Sequence, residues 1–373
     1  MIIGPAHPLR GGLASYNERL AREFQKQGHQ VTIYTFSLQY PGFLFPGTTQ
    51  FSSEPAPADL SIKIRINSIN PFNWIKVGNE IKNIRPDIVV VRYWLPFMGP
   101  CLGKIIRVIK KNKHSKVICI ADNVIPHEKR MGDKIFTKYF VKPIDGFITM
   151  SKKVLSDLQL FAKNTPACFT PHPLYDNFGE IISKEASKKH LGIPNNIKIY
   201  LFFGFIRKYK GLDLLLEAIK IYKEHSSYKS DVKFLIAGEF YEDRHPYDEL
   251  IKKLGIEDLL ILRTSFIPDS EIKYYLCAAD AVIQPYKNAT QSGVTPLAYH
   301  FNVPMIVTNV GGLPDLVPNN KVGLIAEATP QDIADKIVKF DATGPEMFLR
   351  GLEEEKKKYS WHIMTQQIFK ITE

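Results

Sequence analysis

Apolar residues follow two alternating patterns along this chain. Short runs that are almost wholly apolar, such as 87–91 and 198–203, are typical of strands buried on both faces of a parallel sheet. Longer stretches, such as 13–27 and 212–224, carry apolar residues every three or four positions and predict helices with one buried face. Because the two patterns alternate, the sequence predicts an α/β chain with parallel sheets.

The first half contains enough of these elements for one Rossmann-like domain. We predict strands at 2–3, 30–36, 62–66, 87–91, 116–120, 146–150 and 167–170, and helices at 13–27, 72–84, 102–110, 134–141 and 152–161. The segment 37–60 has no clear period and holds Tyr40, Phe43, Phe45 and Phe51. A loop of this length is usually functional or disordered. Its aromatic residues either pack on the core, which we favour, or contact a lipid or sugar acceptor.

The second half predicts another α/β domain. Its predicted strands lie at 198–203, 232–237, 259–262, 279–283, 304–307 and 322–325, and its helices at 184–191, 212–224, 270–278, 294–301, 330–340 and 345–358. The rigid Pro171-His172-Pro173 segment cannot continue a strand, so we place a hinge from there to about residue 182 and give His172 a structural role. We therefore expect domains at 1–175 and 176–358, followed by a short segment 359–373.

Composition narrows the class of protein. The hydrophobic content of 45% is enough for two full cores, and no run of 18 apolar residues predicts a transmembrane helix. The first residues lack the basic and apolar regions of a signal peptide, so none is expected. The four cysteines lie far apart without a CxxC pair, which predicts neither a zinc site nor a disulfide framework. Cysteines without such pairing fit a protein of the reducing cytoplasm.

The net charge of +11 lies wholly in residues 1–180, which hold 24 Lys and Arg against 13 Asp and Glu. Arg130, Lys134, Lys138 and Lys142 recur every four residues and predict one basic helix face, while a second basic cluster spans 104–116. Such a face is either simply solvated or attracted to anionic lipids at the inner side of a membrane. No zinc-finger, RRM or KH signature and no clear helix-turn-helix is present, so no nucleic-acid partner is expected.

A candidate anion site follows the run 279–283. Ser292-Gly293-Val294 forms a polar turn before the helix 294–301, where free amides and the helix dipole favour a negative ligand. Gly293 can take a positive φ and lets a ligand approach the backbone closely. The alternative is an ordinary turn between a strand and a helix.

A second turn of the same kind lies upstream, where the strand 198–203 leads into Gly204, Arg207 and Lys210. Together with the Ser-Gly turn, this segment resembles the donor half of glycosyltransferase family 4, whose members have the two-Rossmann GT-B fold. The resemblance covers Gly11 to Trp361 and is strongest between Phe203 and Val317. It implies a nucleotide-sugar donor, and a lipid-linked or other glycan precursor as acceptor. Ser360-Trp361 resembles the start of the family's final helix, which implies that 359–373 forms a helix that returns to the first domain.

The resemblance also assigns roles to individual residues. It implies that Arg207 and Lys210 grip the donor diphosphate, that Ser292, Gly293 and Val294 supply amides to it, and that Gly11 and Gly12 face it from the first domain. It implies nucleotide contacts at Gly204, Glu239, Ile267, Thr290 and Gln291. For Glu239 the alternative is a carboxylate that merely flanks a helix. Fixed cations and amides can stabilise a leaving diphosphate, so we expect no metal and no further cofactor.

The best polar candidates in the first half follow the strand 116–120. Residues just past the carboxyl ends of parallel strands face the ligand crevice, which favours Asp122, Asn123, His127 and Glu128. Family members carry a histidine in this region that contacts the donor sugar, and we predict His127, Asp122 and Asn123 as catalytic. Alternatively, Asp122 and Asn123 only turn the chain and His127 lies on the surface.

The chain departs from the family at one motif. The usual pair of glutamates separated by seven residues falls on Thr290 and Ala298, and alanine cannot hold ribose hydroxyls. Ribose recognition must differ, or the protein is a degenerate member that binds glycans or acts as a scaffold. A third interpretation, another two-Rossmann enzyme such as an epimerase or a phosphorylase, is disfavoured by the few acid and base residues of the second half and by the chain length. Retention at the anomeric carbon is the family expectation.

Overall fold

The computed structural model describes residues 1–42, 45, 48–126, 131–226, 228, 230–289 and 292–372. The chain divides into two compact units, one formed by Met1–Pro173 with Ser360–Glu373 and the other by Leu174–Tyr359. Across the described ranges, no helix combines the length and the apolarity that crossing a bilayer requires.

The first unit is built on a seven-stranded parallel sheet. Its strands are β1 (Ile2–Ile3), β2 (Thr32–Leu38), β3 (Ser61–Asn67), β4 (Ile88–Tyr93), β5 (Lys116–Ala121), β6 (Gly146–Thr149) and β7 (Ala167–Phe169). Their order in the sheet is β3-β2-β1-β4-β5-β6-β7. Since Ile2 pairs with both Ile33 and Val90, β1 lies between β2 and β4, and the strand order reverses there.

Five helices follow the strands of this sheet: α1 (Gly12–Lys26), α2 (Pro71–Ile84), α3 (Gly99–Ile109), α4 (Asp133–Val141) and α5 (Lys152–Gln159). Helix α2 shows how the sequence starts them. The Asn70 side chain accepts hydrogen bonds from the amides of Phe72 and Asn73, and Pro71 occupies the first helical position. Helix α3 packs against both α2 and α4, so these three cover one face of the sheet.

The second unit is built on a six-stranded parallel sheet of order β10-β9-β8-β11-β12-β13. The strands are β8 (Lys198–Phe203), β9 (Val232–Ala237), β10 (Leu260–Arg263), β11 (Ala281–Gln284), β12 (Met305–Thr308) and β13 (Gly323–Ala326). The helices are α6 (Lys184–Leu191), α7 (Leu212–Glu224), α8 (His245–Leu254), α9 (Ile272–Ala278), α10 (Val294–His300), α11 (Leu313–Leu316), α12 (Pro330–Thr343) and α13 (Glu346–Glu355). The strand order reverses between β8 and β11.

Helix α14 (Trp361–Lys370) belongs to the first unit, although the whole second unit precedes it in the chain. Ser360 begins it by accepting a hydrogen bond from the His362 amide. The Trp361 ring packs 4.8 Å from the Tyr16 ring of α1, measured between centroids. This contact ties the end of the chain to the first sheet.

Several helices differ from the sequence prediction, among them α8 and α13. Helix α8 was not predicted, although Tyr247, Leu250, Ile251 and Leu254 recur at helical spacing and pack on the core of the second unit. The helix predicted at 345–358 ends earlier, since α13 gives way to a 3-10 turn at Lys356–Lys358. In the long loop, Tyr40 packs on the core as favoured, Phe51 is exposed, and Phe43 lies outside the described residues.

Candidate functional site

The two turns singled out in the second half meet at the carboxyl edge of the second sheet. The loop after β8 contacts the loop after β11, where the Lys287 amide donates to the Tyr209 carbonyl oxygen over 2.7 Å. A Cβ added at Gly211 would lie only 2.0 Å from the Pro285 carbonyl oxygen, so glycine permits this close approach. Since β8 and β11 flank the reversal in strand order, the loops form the place where such sheets bind ligands.

Lys210 is the central cation of this site. Its side chain is buried, and its Nζ lies 5.7 Å from the centroid of the Tyr286 ring. Burial, assisted by the positive charge of Arg207, lowers the pKa of Lys210 from 10.5 to about 8. Within the part of the chain that the structure describes, no carboxylate pairs with this ammonium. A buried cation without such a counter-charge is suited to an anionic ligand.

Gly204 makes room for the ammonium. It has a φ of +96°, and a Cβ at this position would lie 3.1 Å from Lys210 Nζ. The same Cβ would lie 3.7 Å from Val294 Cγ2, which places Gly204 between the two turns. A side chain here would be strained and would crowd the cation.

Ser292 lies at the other side of the site. Its Oγ accepts a hydrogen bond from the Val294 amide over 3.1 Å and lies 3.3 Å from Tyr286 Oη. Tyr286 therefore contacts both Ser292 and Lys210. Because the Val294 amide already has an acceptor, it would have to exchange that bond to contact a phosphate.

Gly293 does not use the positive φ that glycine permits. Its φ is −71° and its ψ is −15°, because the first turn of α10 already starts at this residue. A Cβ there would be 3.7 Å from Tyr175 Cε2, an ordinary contact. Glycine is thus not needed here for an unusual backbone conformation. Its lack of a side chain leaves the backbone accessible to a ligand.

Arg207 begins the 3-10 turn that ends with Lys210. Its guanidinium is 5.2 Å from the centroid of the Tyr241 ring. Tyr241 stacks on Phe205 at 4.1 Å, and Phe205 stacks on Phe266 at 6.3 Å between centroids. These three aromatic residues come from the loops after β8, β9 and β10. Arg207 therefore extends the site from Lys210 towards three partly exposed rings.

The remaining residues predicted for the nucleotide have different positions. Glu239 is buried, and its carbonyl oxygen accepts from the Ile206 amide over 2.8 Å. Ile267 is half-buried and follows Phe266 in the loop after β10. Thr290 and Gln291 lie outside the described residues. Ala298 is fully buried in α10, so it faces the core rather than a ribose.

Gly11 and Gly12 lie at the carboxyl end of β1 in the first unit, beside the reversal between β1 and β4. Gly12 is exposed and begins α1, and the Gly11 carbonyl oxygen accepts from the Ala14 amide over 2.9 Å. The structure thus places the predicted glycines at the ligand-binding edge of the first sheet.

Asp122 is held in a buried ion pair. Both carboxylate oxygens accept hydrogen bonds of 2.6 Å from the Nε and Nη2 atoms of Arg92, and Arg92 lies 3.9 Å from the centroid of the Tyr16 ring. Arg92 and Asp122 are only 2% and 7% exposed. This pairing gives Asp122 a structural role, whatever else it does. Asn123 follows it and is half-buried, whereas His127 and Glu128 lie outside the described residues.

His172 packs in the same region of the first unit. Its ring is buried, meets the edge of the Tyr16 ring at 5.1 Å, and has Nδ1 2.6 Å from the Pro173 carbonyl oxygen. Burial lowers the pKa of His172 to about 3, so the ring is neutral at physiological pH. This environment fits the structural role expected for it.

Sequence reasoning missed two residues that organise these sites. Arg92 interrupts the apolar run of β4, and a charged residue in a buried strand is a signal for a buried partner. Tyr286 directly follows β11 but has no local signal, because its contacts depend on which loops meet. Among the residues that the structure describes, no group of three or more His, Cys, Asp and Glu side chains could hold a metal.

The fold defines the class of protein. Two parallel-sheet α/β units of this kind constitute the GT-B architecture of glycosyltransferases. The structure is similar to sucrose-phosphate synthase from Thermosynechococcus elongatus, with a TM-score of 0.73 and 14% identity over 100% of this chain and 97% of that one. It is also similar to Anabaena HepE in complex with UDP-glucose, with a TM-score of 0.72 and 13% identity over 99% and 98% of the two chains.

Family models identify the group. Residues 10–165 match the model "Glycosyltransferase Family 4", and residues 183–346 match "Glycosyl transferases group 1". The chain belongs to this glycosyltransferase family, as the sequence resemblance predicted.

Curated relatives agree with this assignment. A D-inositol 3-phosphate glycosyltransferase of Corynebacterium aurimucosum is 27% identical over 192 residues, which are 50% of this chain and 45% of the relative. An uncharacterised glycosyltransferase of Methanocaldococcus jannaschii is 24% identical over 309 residues, or 81% of this chain and 80% of the relative. The match to the first of these relatives covers less than half of its length.

Proposed function

We propose that this protein transfers a sugar from a nucleotide-sugar donor to a lipid-linked or polysaccharide precursor. The observation that carries the proposal is the buried Lys210 ammonium, which lies at the reversal of strand order, next to Gly204 and Val294. Similar structures contain UDP and UDP-glucose, which supports a nucleoside diphosphate as the anion.

The leaving diphosphate would gain negative charge as its bond to the anomeric carbon breaks. Lys210 would supply a fixed charge to it, Arg207 would bind two of its oxygens, and the amides near Ser292 would complete the contacts. We propose that these groups replace a metal, so activity should persist in the presence of a chelator. The sugar would be transferred with retention at the anomeric carbon.

The acceptor would be bound by the first unit. Gly11 and Gly12 lie at the edge of its sheet, and Asn123 and His127 remain our candidates for catalytic contacts with the sugar. Asp122 would act through its pairing with Arg92. The basic charge of residues 1–180 supports an acceptor displayed at an anionic membrane surface on the cytoplasmic side.

One observation favours a second function. Ala298 is buried where family members place a glutamate for the ribose, so a protein that binds glycan intermediates without transferring sugar is the alternative. This alternative predicts little or no affinity for nucleoside diphosphates.

A thermal-shift screen of nucleoside diphosphates and their sugars, followed by calorimetry, tests the proposal. A true ligand at a hundredfold excess over its Kd adds about 2.7 kcal/mol of stability. Arg207→Ala should weaken its binding about 10- to 100-fold, as expected for lost charge-assisted hydrogen bonds. Lys208→Ala is the matched control, because Lys208 is an exposed cation of the same turn. Absence of binding to every nucleotide tested would refute the proposal and favour the alternative.

A further inference from the structure

Helix α4 presents an outward face that is both basic and apolar. Met131, just before the helix, is fully exposed, and Ile135 in its first turn is 70% exposed. Lys134, Lys138 and Lys142 are exposed as well. Ile135, Lys138 and Lys142 are spaced by three and four residues and so lie along one side of the helix, with Lys134 beside Ile135. Met131 lies two residues before the helix, at the same end as Lys134 and Ile135. We call these five residues the α4 surface. The preceding residues 127–130, including Arg130 of the predicted basic face, lie outside the described part of the chain.

The opposite face of α4 holds the helix in place. Thr137, Phe140 and Val141 are buried, and the Phe140 ring stacks 4.0 Å from the Tyr93 ring of β4. Thr137 Oγ1 lies 3.1 Å from Tyr93 Oη. Because these contacts fix the helix, folding of the unit does not require Met131 or Ile135 to be apolar.

Two cations of the other basic cluster, Arg107 and Lys110, are paired inside the unit. Lys110 donates to both oxygens of Asp145 over 2.7 Å, and Arg107 donates to the carbonyl oxygens of Gly103 and Tyr139. These cations are therefore used inside the unit. In the described ranges, by contrast, the three lysines of the α4 surface have no ion-pair or hydrogen-bond partner.

We propose that the α4 surface docks on an anionic lipid bilayer. Met131 and Ile135 would enter the boundary between head groups and acyl chains, while the lysines contact the head-group phosphates. Exposed apolar residues flanked by lysines on one helix face are the pattern of helices that lie in a membrane interface. The positive balance of residues 1–180 complements such a membrane. The inference deepens the membrane part of the proposed function and does not depend on the sugar chemistry.

Co-sedimentation of the full chain with vesicles tests the inference. The protein should bind equimolar phosphatidylglycerol–phosphatidylcholine vesicles far better than pure phosphatidylcholine vesicles. Lys134→Gln with Lys138→Gln should lower partition into the mixed vesicles about 20-fold, since each lysine contributes about fivefold near such a surface. Met131→Ser with Ile135→Ser should lower it about 10-fold or more through lost apolar burial.

The matched control is Met347→Ser with Leu349→Ser. These residues are 53% and 40% exposed on α13, a helix that carries several glutamates. The control should bind vesicles as the wild type does. The α4 variants should keep the wild-type melting temperature, because their changed side chains are exposed. Equal loss in the control, or wild-type binding by the α4 variants, would overturn the inference.

A second measurement reports insertion directly. The tryptophan emission of Ile135→Trp, after subtraction of the wild-type spectrum, should shift to shorter wavelength when mixed vesicles are added. Sedimentation without this shift would show that another surface binds lipid. Wild-type protein that ignores mixed vesicles would overturn both the inference and the membrane part of the proposed function, and would favour an acidic protein as the occupant. Nucleotide binding by the same variants tests the sugar-transfer proposal separately.

Discussion

Replacing Lys210 by methionine should stabilise the unliganded protein while removing its affinity for diphosphates. Methionine keeps much of the side-chain volume but needs no counter-charge. Lowering a pKa from 10.5 to about 8 means that the folded state disfavours the charged form by about 3 kcal/mol. Below pH 8 the wild type bears this whole penalty, because the ammonium is protonated in both the folded and the unfolded states.

The penalty has a defined pH dependence. Between pH 8 and pH 10.5 the folded protein has lost the proton while the unfolded chain keeps it, so the penalty shrinks and disappears above this window. The free energy of unfolding of Lys210→Met should therefore exceed that of the wild type most at pH 7, by up to about 3 kcal/mol. Urea titrations at pH 7 and near pH 10 measure the difference.

Whereas the free energy of unfolding should rise in Lys210→Met, the affinity for a diphosphate should fall. The variant should bind the diphosphate of the preferred nucleotide about 10- to 100-fold more weakly, as a charge-assisted contact is lost. Wild-type affinity should decline as pH rises above 8, because the ammonium must regain its proton to meet the anion. Lys208→Met, in the same turn, should change neither quantity. A less stable Lys210→Met protein, or one with undiminished diphosphate affinity, would refute this account of Lys210.

Three further substitutions test other buried groups. Asp122→Asn leaves the Arg92 charge buried without its carboxylate, so the free energy of unfolding should fall by about 3–5 kcal/mol and the melting temperature with it. A variant that is fully stable but inactive would instead make Asp122 catalytic. Asp341 accepts hydrogen bonds of 2.6–2.8 Å from Lys198 Nζ and two tyrosine hydroxyls. Asp341→Asn should therefore lower the free energy of unfolding in urea by a similar amount, and an unchanged unfolding midpoint would contradict this. The pKa of His172 falls from 6.5 to about 3, so stability should decline as pH drops through that window, by about 2 kcal/mol between pH 6.5 and 5. His172→Phe should remove that part of the decline, and an unaltered pH dependence would argue against the assignment.

Much of the fold could be predicted from the sequence because its strands are buried. Each of β1–β13 overlaps a predicted strand, and most of them are apolar runs, since a parallel sheet covered on both faces admits few polar side chains. The edge strand β3 instead alternates apolar and polar residues. Helix α8 was missed although its apolar residues recur at helical spacing. The short α11 was not predicted either, because four residues are too few to establish a helical period.

The candidate site was predictable in position but not in its contacts. The rule that ligands bind past the carboxyl ends of parallel strands placed Lys210, Ser292 and Asp122 at the sheet edges. It could not show that Arg92, 30 residues before Asp122 in the chain, takes both of that carboxylate's oxygens. Nor could it show that Tyr286 would contact both Lys210 and Ser292. Such pairings depend on which loops meet in three dimensions.

The polypeptide passes between its two units twice, after Pro173 and after Tyr359, and the two passages are tied together by a hydrogen bond of 3.0 Å from the Leu174 amide to the Tyr359 carbonyl oxygen. During synthesis on the ribosome, the first unit therefore remains without α14 until the second unit has been synthesised. Tyr16 and Phe24 would meanwhile lack the cover of Trp361 and Phe369. A fragment that stops near residue 173 should consequently expose the apolar surface that α14 normally covers, and should be prone to aggregate. Joining residues 360–373 to it through a short linker should restore solubility.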